Sequence, residues 1–243
     1  MKKLYEKSEL WFAILCIVLY VVGASAADEL SCRLGVEKSV TLLFAAAFAL
    51  VLGGFVRKNG LAEYYGLCRM KCPAAKVLFF IPLAVLASVN LWFGARIKGS
   101  AGETLCYVGS MLLIGFLEEL IFRGFLFRAM SRDSRTAAII VSSLTFGMGH
   151  IVNLINGSGA DLVSGLCQVC YAAAIGFVFV LFFDRTGSLW PCAVTHGVFN
   201  ALSAFSNEAA ADAHLLSVSL ALIVLSAGYA LFLARTLPAA GKA

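Results

Sequence analysis

Eight apolar stretches, at 11–27, 39–56, 77–95, 105–127, 136–152, 164–183, 188–205 and 215–234, occupy most of this 243-residue chain and leave only short connections. Each approaches or exceeds the length a helix needs to cross the hydrocarbon core of a bilayer, about 20 residues with a range of about 17–25. A segment in lipid must satisfy its own backbone hydrogen bonds, and none of the eight alternates as a barrel strand does. The expected fold is therefore all-α: a polytopic bundle of about eight transmembrane helices, forming a single integral membrane domain over 1–243. Composition agrees, with 61% hydrophobic and 14% charged residues and a mean hydropathy of +0.91, where a soluble domain is about a quarter charged. Disordered, collagen-like and disulfide-stapled secreted classes are excluded on the same ground.

The net charge of +5 has an explanation in loop anchoring. With the N-terminus in the cytoplasm, fourteen of the 19 lysines and arginines fall on the inner side: Lys2, Lys3, Lys7, Arg57, Lys58, Arg69, Lys71, Lys76, Arg128, Arg132, Arg135, Arg185, Arg235 and Lys242. Four fall outside, Arg33, Lys38, Arg96 and Lys98. This bias follows the positive-inside rule and puts both termini in the cytoplasm. Nucleic-acid binding is not expected, since no basic helix or aromatic base platform is present. The first stretch also resembles a signal peptide, with Ala24-Ser25-Ala26 as its cleavage site. Its apolar run is longer than an h-region of roughly 7–15 residues, so a retained helix is expected.

Eight cysteines raise the question of metal or disulfides. Cys167 and Cys170 are one helical turn apart and Cys68 and Cys72 flank a basic loop, but neither pair has a second pair to complete a zinc site. Most of the cysteines lie in apolar spans, where the thiol acts as a small hydrophobe.

Only three charged residues lie within the spans, and all three are in the fourth: Glu118, Glu119 and Arg123. A charge at that depth costs several kcal/mol, so it marks function by default. Glu119 and Arg123 are i,i+4 neighbours that can neutralise one another. Glu118 is turned about 100° away on the helix and is free to face a polar partner. The spans also hold two histidines: His150, after Phe146 in the fifth, and His196 in the seventh, with Asn200 one turn on. A lone histidine of this kind is more often a packed core residue, but depth argues otherwise. Counted from the flanking arginines at 1.5 Å per residue, Glu118, His150 and His196 lie about 15, 22 and 16 Å above the cytoplasmic charges. A carboxylate, two imidazoles and a carboxamide are thus expected at one level of the bilayer.

The ordered set Glu118-Glu119-x-x-x-Arg123, Phe146-x-x-x-His150 and His196-x-x-x-Asn200 resembles the three motifs of the CPBP family, also called Abi. That family includes the type II CAAX prenyl endopeptidases and many bacterial relatives, some linked with bacteriocin self-immunity. The resemblance implies an intramembrane endopeptidase in the plasma membrane of a bacterium, with its catalytic core at about 105–205. By the same resemblance Glu118 is the catalytic glutamate, His150 its partner in holding the attacking water, and His196 with Asn200 the oxyanion-stabilising pair. Glu119, Arg123 and Phe146 are implied as structural support.

The chemistry fits those residue types, because peptide hydrolysis needs a base for water, donors for the oxyanion and an acid for the leaving amine. No cofactor is expected. Zinc is the alternative, since Glu118, Glu119, His150 and His196 are of ligand type, although neither histidine opens a His-Glu-x-x-His helix. The expected partners are the lipid bilayer and a membrane-associated peptide or protein substrate. Two other classes would also use such residues. A proton-coupled transporter would add an internal repeat or paired broken helices, which are not visible; a non-catalytic immunity or scaffold protein would work without Glu118.

Overall fold

The computed structural model describes residues 1–97, 99–152 and 161–240. Most of the loop expected at 153–163, and the cations Lys98 and Lys242, lie outside the described residues. The architecture is all-helical, and among the described residues there is no β-strand, only an isolated bridge between Ala95 and Ser206.

Among the described residues five helices are long and apolar enough to cross a membrane: Glu9–Leu34, Ser39–Lys58, Ala101–Ser131, Leu162–Thr186 and Leu215–Thr236. The other three apolar stretches form shorter helical pieces. Of the expected span 77–95, the regular part is Ile81–Ala87, and the preceding Leu78, Phe79 and Phe80 have φ of 58°, 52° and 65°. Three successive left-handed residues cannot continue a right-handed helix. Pro82 then starts the new helix at a position where its missing N–H is not needed. The stretch at 136–152 is helical over Arg135–Gly149, so His150 directly follows the last residue of that helix. The stretch at 188–205 is helical over Trp190–Leu202, with Pro191 in its first turn.

The helix Ala101–Ser131 is the centre of the bundle. It begins at a capping box, in which Ser100 Oγ accepts from the Glu103 backbone at 3.3 Å and the Glu103 carboxylate accepts from the Ser100 backbone at 3.0 Å. It is α-helical to Glu118 and then π-helical over Glu119–Leu126 before closing as α-helix Phe127–Ser131. A π-helical turn is wider than an α turn and leaves backbone carbonyls poorly served. Phe122 O accepts from the Phe127 backbone N–H and, at 2.8 Å, also from the hydroxyl of Ser142 on the neighbouring helix. Every residue of the π segment is buried.

Apolar burial does not drive helices together in lipid, so close packing of small residues does. A Cβ built on Gly115 would collide with the backbone nitrogen of Gly197, so Ala101–Glu118 and Trp190–Leu202 meet backbone to backbone here. Gly176 lets Leu162–Thr186 approach Ser143 in the same way, with a virtual Cβ 3.1 Å from the Ser143 carbonyl. Glu9–Leu34 packs its Phe12, Cys16 and Tyr20 face into the main core and onto the π segment. All eight cysteines are free.

Candidate active site

The close approach of Gly115 and Gly197 places His196, the neighbour of Gly197, between the two adjacent carboxylates that lie one turn beyond Gly115 on the central helix. Its Nδ1 is 2.9 Å from Glu119 Oε1 and its Nε2 is 3.3 Å from Glu118 Oε2. Glu119 Oε1 also accepts from Arg123 Nη1 at 3.0 Å, and both members of that ion pair are completely buried. The i,i+4 pairing expected from the sequence is therefore present, and Glu119 in addition holds a histidine.

Arg123 is further enclosed by aromatic faces. Its guanidinium carbon lies 4.0 Å from the centroid of the Phe146 ring and 5.6 Å from that of Phe179. A cation over a desolvated ring gains about 2 kcal/mol, which helps offset burying a guanidinium whose Nε and Nη2 make no hydrogen bond. Phe146 also meets both histidines edge-on, with centroids 5.3 Å from His150 and 5.4 Å from His196. One aromatic side chain thus touches the ion pair and both imidazoles.

The arrangement divides the two nitrogens of His196 by role. A carboxylate that accepts from Arg123 has no proton to give, so Nδ1 must be the donor to Glu119. A histidine tied through Nδ1 to a carboxylate has its tautomer and ring angle fixed and presents Nε2 for chemistry. That atom faces Glu118 Oε2 at 3.3 Å.

His150, His196 and Asn200 line one small cavity together with Thr195, Gln168 and Tyr171. Its volume of about 40 Å³ exceeds the roughly 10–15 Å³ needed for one water. Glu118 is not among its walls and connects to it through His196. The structure thus gathers the expected site residues: Glu118 and Glu119 joined through His196, Arg123 paired with Glu119, and His150 and Asn200 lining the cavity with His196.

Tyr20 is not among the residues expected from the sequence. It comes from Glu9–Leu34, and its hydroxyl donates to Glu118 Oε1 at 2.5 Å. Phe179, below Arg123 and 5.8 Å from His196 ring to ring, is a second such residue. Tyr20 carries a faint signal: it is the one tyrosine of its apolar stretch, 13 residues after Lys7, and hence about 20 Å above it on a helix, near the depth of Glu118.

Zinc would need a converging donor set. Among the described residues no three His, Cys, Asp or Glu side chains converge as a metal-binding group. Both nitrogens of His196 face carboxylates and Glu119 is engaged by Arg123. These residues do not fit zinc as they stand.

Fold and site together define a class: an integral membrane protein of packed helices that buries a carboxylate–imidazole centre within its helical core. Residues 100–202 match the family model of the type II CAAX prenyl endopeptidase Rce1-like proteins. The motif-bearing segment is therefore that of the CPBP/type II CAAX prenyl endopeptidase family, as its three motifs suggest. No curated protein and no solved structure matches the chain.

Proposed function

We propose that the chain is an intramembrane endopeptidase that hydrolyses a peptide bond of a membrane-associated protein or peptide with water activated by Glu118. The observation that carries this reading is the 3.3 Å approach of Glu118 Oε2 to His196 Nε2, with Nδ1 of the same ring held by the buried Glu119–Arg123 pair.

In this mechanism Glu118 takes a proton from water as the oxygen attacks the carbonyl carbon. The carbonyl π electrons move to oxygen, and the resulting oxyanion is met by donors from the His196 and Asn200 side of the cavity. His196 offers an N–H at Nε2 only when its ring carries both protons, because Nδ1–H is spent on Glu119. Collapse of the intermediate breaks the C–N bond, and the proton held by Glu118 passes to the leaving amine. His150, across the cavity, orients the water.

The remaining elements of the reading are no resident metal, about eight membrane-crossing segments counting the three shorter helices, both termini cytoplasmic, and a bacterial plasma membrane. The charge distribution supports the orientation. The site lies on the cytoplasmic half if Arg128 and Arg185 mark the inner surface.

The test compares membrane peptides that accumulate in cells carrying wild type or Glu118→Gln. A peptide that persists whole only with the variant, and is cut by purified wild type, supports the protease. Equal cleavage by both proteins, or a cellular function that survives Glu118→Gln, replaces it with a non-catalytic scaffold.

A further inference from the structure

We infer that Tyr20 is a positioning residue for Glu118: its phenol occupies Oε1 and so reserves Oε2, the oxygen beside His196, for the proton taken from water. The inference rests on the protease reading above and adds to it a residue from outside the segment that matches the family.

Three observations carry it. Tyr20 is 7% exposed, and its hydroxyl lies 2.5 Å from Glu118 Oε1 across 98 residues of chain. Glu118 Oε2 is buried and makes no hydrogen bond, although His196 Nε2 stands 3.3 Å away. The two oxygens of one carboxylate are thus differently served, one holding a short bond from a neutral donor and the other without a hydrogen bond on the imidazole side.

A carboxylate left to rotate about its last bond would present either oxygen. A phenol donor on one side removes that freedom, and a base must be held within about 0.5 Å and 10–20° of its working geometry. Tyrosine is suited to the task because its ring packs in apolar surroundings while its hydroxyl reaches a single acceptor. The ring is anchored by its own helix, which belongs to the main core through Phe12, Ala13 and Cys16. The donor is therefore fixed to the scaffold and not to a loop.

The test uses the purified full chain in lipid nanodiscs, with a fluorescence-quenched peptide ending in a farnesylated CAAX box as probe. Tyr20→Phe should lower kcat per folded molecule about 10- to 100-fold, the worth of one hydrogen bond to a charged group, and leave KM within about twofold. Replacing Tyr20 by 4-aminophenylalanine, which keeps a donor on the ring, should restore most of the rate. Infrared difference spectra, wild type minus Glu118→Gln, isolate the Glu118 carboxylate band. That band should shift in Tyr20→Phe and return with 4-aminophenylalanine.

A purely structural role predicts instead fewer folded molecules with unchanged kcat in each, and an unmoved band. That result, or full kcat in Tyr20→Phe beside an inactive Glu118→Gln, overturns the inference and leaves the protease standing. Cleavage that persists in Glu118→Gln removes the protease reading instead. If wild type leaves the farnesylated probe uncut, the band alone decides whether Tyr20 orients Glu118.

Discussion

Glycines report how differently two parts of this bundle are packed. In the outer helix Ser39–Lys58, a Cβ added at Gly53 or Gly54 would meet nothing within 4 Å. In the segment 100–202, one added at Gly115 would strike the backbone of Gly197, and one at Gly147 would lie 2.9 Å from the backbone nitrogen of Ala173. The same contrast holds for charge. Arg33 and Glu29 in the first long helix form an i,i+4 pair that is 73% and 61% exposed, whereas Arg123 and Glu119 form one that is 0% exposed on both sides. At these helix crossings the motif-bearing segment is tightly fitted around buried charge, whereas the long helices Glu9–Leu34, Ser39–Lys58 and Leu215–Thr236 are less buried. Glu9–Leu34 belongs to both, since one face of it is exposed and the other delivers Tyr20 to Glu118.

The contrast can be pressed hardest on activity. Glu118→Gln should cut hydrolysis by about 10²- to 10⁴-fold, the range of a general base, while the protein still inserts and elutes as folded. Cleavage at the wild-type rate in a reconstituted assay would remove Glu118 from its role. Next in size is the ion pair. Arg123→Ala leaves Glu119 buried with His196 alone and should cost about 3–5 kcal/mol in a reversible unfolding titration. Arg33→Ala should leave the same titration unchanged, because an exposed pair contributes little. Equal effects at both sites would mean that the two regions do not differ in burial as described.

Packing should show the same asymmetry on a smaller scale. Gly115→Ala forces two backbones apart and should destabilise by about 1–3 kcal/mol. Gly53→Ala should be neutral or stabilising by up to about 1 kcal/mol, since it improves helix propensity without a clash. If the two alanines behave alike, the backbone contact between Gly115 and Gly197 is not part of the folded state.

A further comparison is within the core itself. Single cysteines at 118, 150, 196 and 200, in a background lacking the eight native cysteines, should react with a small hydrophilic thiol reagent. Cysteines at Ile114 and Val194 should react much less, the latter because Val194, 58% exposed, faces the apolar surroundings. Negligible labelling at all six would mean water does not reach the site. The smallest expected effect is that of a chelator: exhaustive dialysis should leave activity unchanged and added zinc should not raise it. Loss reversed by zinc would restore the metal alternative.

Much of the site was legible in sequence because burial of charge is costly one residue at a time. An isolated Glu-Glu-x-x-x-Arg in an apolar run has few physical excuses, and the i,i+4 geometry of Glu119 and Arg123 is local to one helix. A fixed rise per residue converts chain distance into height, which is why His196 was expected beside Glu118, and the two side chains stand 3.3 Å apart. His150 caps its helix, which ends at Gly149, so its side-chain direction was not set by helical periodicity alone. Helix lengths were less legible where backbone geometry changes: nothing local to Leu78, Phe79 and Phe80 announces three left-handed residues.

The sequence by itself determined the all-helical membrane class, the helix that carries the charge and the residue types of the centre, because each follows from transfer cost or short-range periodicity. Tertiary structure alone decided the rest. It made the turn after Glu118 π-helical, with its Phe122 carbonyl served by Ser142. It set His196 between two carboxylates, with one nitrogen toward each. It also brought Tyr20 across 98 residues to a single carboxylate oxygen. The physical reason is common to all three: a hydrogen bond depends on sub-ångström placement of groups on different helices, and that placement is set by how backbones meet, here glycine against glycine, and not by the identity of the residues that bond.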